Sequence, residues 1–86
     1  MITTTAHDAT LALLAARAPG ATICPSEVAR VLATATSTDA QTVDWRELMP
    51  TVHSAVDRLL TDGQVRLSWK GQGLATRNGP YRIART

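Results

Sequence analysis

One cysteine, Cys24, is all the thiol chemistry this chain carries. A single thiol excludes an internal disulfide framework and a zinc site built from four cysteines. No apolar run approaches the roughly 18 residues that a membrane helix needs. The first residues, Met1-Ile2-Thr3-Thr4-Thr5, lack the basic-then-apolar pattern of a secretion signal, so the expectation is a soluble cytoplasmic protein. Phenylalanine is absent, and Trp45, Trp69 and Tyr81 are the whole aromatic set; all three are expected in the core. With 86 residues there is room for one small domain, a thin core and no large cofactor pocket.

Acidic residues are also missing from one part of the chain. Residues 1–62 carry four arginines against seven carboxylates, a net of −3. Residues 63–86 carry Arg66, Lys70, Arg77, Arg82 and Arg85 with no carboxylate, a net of +5, and the whole chain is +2. Such a basic segment on a mildly acidic body suits an anionic partner.

What is present is periodic. Leu11, Leu14, Ala15 and Ala18 fall at helical spacing, with Thr5 or Asp8 as a cap and Pro19-Gly20 as a stop. Ala21-Thr22-Ile23-Cys24 permits a short strand of one or two ladder pairs. Pro25 then suits the first position of a second helix, with Glu27 in its first turn and Val28, Val31 and Leu32 on one face. That helix spans about two turns. Residues 34–43 show no period and are expected to be a mobile loop, with one extra helical turn available through the alanines. Residues 1–6 are expected to be a flexible N-terminus.

Asp44 to Glu47 has capping-box spacing, and Pro50 predicts a bend or restart near Met49. Val52, Val56, Leu59 and Leu60 mark a third helix that Asp62-Gly63 ends. From there the period becomes two. Val65, Leu67 and Trp69 alternate with Arg66, Ser68 and Lys70, and Tyr81-Arg82-Ile83 alternates again. An antiparallel hairpin with a tip of about ten residues is expected, well beyond the usual length.

The expected fold class is therefore α+β: a small winged helix-turn-helix domain covering residues 1–86, with three helices and a two- to three-stranded antiparallel β wing. Three blocks carry a family resemblance as well. They are Ile23-Cys24-Pro25-Ser26-Glu27-Val28-Ala29-Arg30, Trp45-Arg46-Glu47-Leu48-Met49-Pro50 and Gly79-Pro80-Tyr81-Arg82-Ile83. Over about residues 8–85 the chain resembles the bacterial family DUF3253, a domain of unknown function. The resemblance implies a winged-helix fold and supplies no activity or functional residues.

The candidate nucleic-acid contacts are Thr51, His53, Ser54 and Arg58 on the third helix and Arg66, Lys70, Arg77 and Arg82 on the wing. Hydroxyl, imidazole and guanidinium groups contact phosphates or base edges, and an arginine can fork onto two oxygens. Asp57 on the same helix would repel phosphates unless a base offsets it. Against this stands the ordinary reading that such charges simply solvate a surface. Double-stranded DNA is the expected partner, bound mainly through phosphates by a monomer or weak homodimer in a transcription-related role. A protein-docking module is the alternative, because a fold does not fix a function. No catalytic residue, cofactor or metal ligand set is expected. His7 and His53 lack ligand spacing, Gly71 and Gly73 precede no helix, and Cys24 reads as a structural thiol.

Overall fold

The computed structural model describes residues 5–37, 41–77 and 79–86. Thr5 opens the first helix, α1 (Ala6–Ala15), its hydroxyl accepting from the Asp8 N–H at 3.1 Å. The buried stripe of α1 is Ala6, Ala9, Thr10 and Leu14. Ala15 and Ala18, expected inside, are exposed, and Leu11 is half-buried. Small residues let α1 approach its neighbours closely, and Thr10 enters the core because its hydroxyl donates to the Ala6 carbonyl at 2.7 Å. Ala6, placed by sequence in a flexible tail, is core. Residues 1–4 of that tail lie outside the described residues.

Strand β1 (Thr22–Ile23) leads into α2 (Pro25–Thr36). The Cys24 N–H donates to the Glu27 carboxylate at 3.3 Å, so Glu27 closes the first turn from within. α2 is a turn longer than its apolar pattern indicates and absorbs the start of the expected 34–43 loop. Hydroxyls of Thr34, Thr36 and Ser37 donate back to carbonyls of the last turns, which holds this polar stretch helical. Residues 38–40 of the expected loop lie outside the described residues.

Asp44 accepts from the Arg46 N–H at 3.0 Å and opens a 3-10 turn, Trp45–Leu48, that runs straight into α3 (Met49–Thr61). α3 thus starts at Met49, where a helix restart is expected, and Pro50 sits in its first turn, where its missing N–H costs nothing. Val52, Val56 and Leu59 are fully buried, as their spacing predicts.

The second half is β2 (Val65–Trp69), β3 (Gln72–Leu74) and β4 (Arg82–Arg85). The sheet is antiparallel with spatial order β1-β4-β2-β3. The expected pairing of β2 with β4 is present, but the expected ten-residue tip contains a strand of its own. Trp69 pairs with Gln72 across the two-residue turn Lys70-Gly71. Both turn residues have positive φ, 51° at Lys70 and 82° at Gly71, the backbone that matches strand twist in a tight hairpin.

The three helices pack on one another and α3 lies against β2. One cluster of Leu14, Ile23, Val28, Val56, Leu67 and Ile83 joins helices to sheet. Tyr81 is buried, Trp45 is half-buried against the core, and Trp69 is 38% exposed, contrary to expectation. Trp69 has inward parity but is the last residue of β2, next to the turn. The described part is thus an α+β domain with three α-helices and one four-stranded sheet. No helix among the described residues is long and apolar enough to cross a membrane.

Leu67 is 1% exposed and central to the cluster, so Leu67→Ala is expected to cost about 2–5 kcal/mol. Urea unfolding checks this, and a loss below 1 kcal/mol would contradict the packing described.

Candidate nucleic-acid interface

Strand parity sorts the candidate residues. Val65, Leu67 and Ile83 turn inward to the helices, so Arg66, Ser68 and Arg82 turn to the opposite face. Thr51, His53, Ser54 and Arg58 belong to α3, which packs on the inward face. Six of the eight residues thus form two groups on two sides of the sheet, not one continuous surface, while Lys70 and Arg77 lie outside the strands.

After Pro50, the exposed residues of α3 are Thr51, Ser54, Arg58 and Thr61, a stripe at intervals of three, four and three. Arg58 pairs loosely with Asp62 at 3.6 Å. The carboxylate of Asp57, which would oppose an anion, is occupied. Arg77 grips it through two bonds, Nε to Oδ1 at 2.9 Å and Nη2 to Oδ2 at 3.0 Å. That grip holds the Asp57 carboxyl below its ordinary range. Arg77 is therefore not a free cation at a hairpin tip: it fastens the loop after β3 to α3. An open cleft of about 420 Å³ lies beside this pair, lined by Leu60, Thr61, Ala75 and Thr76 as well.

His53 is half-buried, and its Nδ1 lies 2.7 Å from the Tyr81 hydroxyl. A neutral imidazole protonated at Nε2 accepts the Tyr81 O–H there. His53 is thus a link to the start of β4 rather than an outward contact. Burial, then the Arg77 charge, push its pKa below 6.5, with Asp57 opposing. Burial pushes the Tyr81 phenol up to about 12.

On the other face, Arg82 donates from Nε to Thr22 Oγ1 at 2.7 Å and from Nη2 to the Thr22 carbonyl at 3.1 Å. Arg66 is exposed, and Lys70 sits in the turn rather than on a strand face. Arg66, Lys70 and Arg82 form no ion pair with the described residues. Cys24 is half-buried at the start of α2, its Sγ accepting from Ser26 Oγ at 3.1 Å. No three of His, Cys, Asp and Glu gather as a metal site among the described residues.

Sequence reasoning missed the Asp57–Arg77, His53–Tyr81 and Arg82–Thr22 contacts, which join residues 20, 28 and 60 apart. Opposite charges on two elements were the only available hint, and for Asp57 five candidate bases competed.

Because His53 holds its proton more weakly folded than unfolded, the folded state is expected to keep full stability above pH 6.5 and lose it as the pH falls below. Loss from Asp57 follows only at lower pH, below the ordinary carboxylate range. Urea midpoints between neutral pH and about pH 5 should slope in the wild type and flatten in His53→Gln; an equal slope in both would reject the assignment to His53.

No curated protein matches the chain. One family model does, described as a protein of unknown function, DUF3253, and it matches residues 3–86. With nearly every residue inside that match, the chain belongs to the DUF3253 family.

Proposed function

We propose that this domain is a winged-helix module that binds double-stranded DNA, with α3 entering the major groove and the β2–β3 turn with the following loop as the wing. The observation that carries the reading is the outward stripe of α3. Thr51, Ser54 and Thr61 offer hydroxyls, Arg58 offers a cation, and the neighbouring carboxylate of Asp57 is already held by Arg77. Small hydroxyl residues fit between base edges and phosphates without steric or charge conflict. The Asp57–Arg77 pair also fixes the wing loop beside the helix, so both surfaces are presented together.

The two groups of cations limit the strength of binding. Arg66 and Arg82 face away from the α3 layer and Arg77 is held by Asp57, leaving Arg58 and Lys70 for a duplex on α3. That number gives weak, largely sequence-independent binding for a monomer. A transcription-related role in a bacterial cytoplasm follows from this reading.

A protein-docking role is favoured by a different observation. Val31 is 39% exposed on α2, beside Thr34 and Ala35, and Trp45 lies 4.8 Å from the guanidinium of each of Arg30 and Arg46. Contacts of that kind would be insensitive to salt.

Fluorescence anisotropy with a labelled random-sequence duplex separates the two. With about two phosphates neutralised, affinity should fall roughly 12-fold between about 50 and 200 mM salt. Ser54→Glu, exposed and tolerable to the fold, should weaken binding by about tenfold or more by setting a carboxylate against phosphate. Absence of binding at low salt, or an unaltered Ser54→Glu, would overturn the DNA reading.

A further inference from the structure

We propose that the outer face of the sheet, turned away from the helices, binds the terminal phosphate of a small phosphomonoester between Arg66 and Arg82. This proposal is independent of the duplex reading, because α3 lies on the other side of the sheet.

The register builds the site. Arg66 faces Ala84, and Ser68 faces both Arg82 on β4 and Gly73 on β3. Directly opposed residues share a face, so Arg66 and Arg82 are diagonal neighbours about 7–8 Å apart at the backbone. Two arginine side chains at that spacing can converge on one phosphate. Beside Arg66 lies a basin of about 320 Å³, with Thr22, Ser68, Gly73 and Ala84 also in its lining, and Arg82 reaches this basin only through Thr22, to which it is bonded. Ala84 is only 4% exposed although it is on the solvent face, so its neighbours stand above it as walls. At Gly73 a Cβ would meet nothing within 4 Å, so the floor there is open.

The chemistry is that of a dianion site. Thr22 fixes the Arg82 guanidinium through Nε and Nη2, and Nη1 makes no hydrogen bond to the described residues. A side chain already held in place loses little freedom on binding. Arg66 has no ion pair, and the Ser68 hydroxyl no hydrogen bond, among the described residues. No residue lining the basin is acidic. Two guanidinium groups and one hydroxyl match the three terminal oxygens and double charge of a monoester better than the single charge of a backbone diester.

The test is an NMR titration of the intact chain with inorganic phosphate, methyl phosphate and dimethyl phosphate at constant ionic strength. Inorganic phosphate and methyl phosphate should give saturable shifts at Arg82 Nε and at the Ser68 and Gly73 amides, with little response to dimethyl phosphate. Arg66→Gln should weaken methyl phosphate binding about tenfold. Gly73→Val fills the floor with a residue suited to a strand and should abolish binding with the thermal midpoint retained. Equal response to dimethyl phosphate would overturn the monoester site. So would unsaturable shifts spread over Arg17, Arg30 and Arg85, or an unchanged affinity in Arg66→Gln.

Discussion

A single row of aliphatic side chains crosses all four strands: Ile23 against Ile83, Ile83 against Leu67, and Leu67 against Leu74. The first three are essentially fully buried, and everything else is placed by them. Because side chains alternate, seating this row under the helices sends Arg66 and Arg82 to the opposite face. A slip of one residue would bury those two cations and expose Ile83 and Leu67. The hydrophobic register is thus also the electrostatic design. β4 is central in the sheet, between β1 and β2, so the last strand of the chain ties its first half to its second.

The same row explains what could be read in advance. Val65-Leu67 and Tyr81-Ile83 alternate cleanly, and α3 repeats its valines and leucine at helical spacing, so these elements were legible. β3 was not, because Gln72-Gly73-Leu74 has a single apolar residue to reveal its face. Its turn was hidden as well: Lys70 adopts a positive φ that a glycine or asparagine would have signalled. α1 misled because alanine sits equally well inside and outside, and the helix buries its small edge rather than its leucine-rich one. The end of α2 misled because its threonines are stabilised by bonds to their own backbone, which no hydrophobic period records.

For the candidate site, the residue types were legible and their grouping was not. Counting charges gave a basic segment of five cations, but it could not show that Arg77 is spent on Asp57 or that Arg82 is braced by Thr22. Both partners are distant in sequence and become neighbours only once the sheet closes. The Asp57–Arg77 contact is exposed, so it contributes little to stability. Its consequence is electrical: it removes one positive and one negative charge from the α3 surface together. That leaves α3 nearly neutral, since Arg58 leans on Asp62, while the outer sheet face keeps its charge.

Under the two proposals, surfaces of such different character take different kinds of anion. A nearly neutral helix with hydroxyls suits a long polyanion, where many weak contacts accumulate and shape supplies the fit. One arginine braced by Thr22 and a second on the neighbouring strand, over a small open floor, would suit a compact dianion, where few contacts must each be strong. The sheet between them is held by the buried row and does not need to move for either face to be filled. Any coupling between them would have to run through the strands, where Arg82 on the outer face is adjacent in sequence to Tyr81, which bonds His53 on α3.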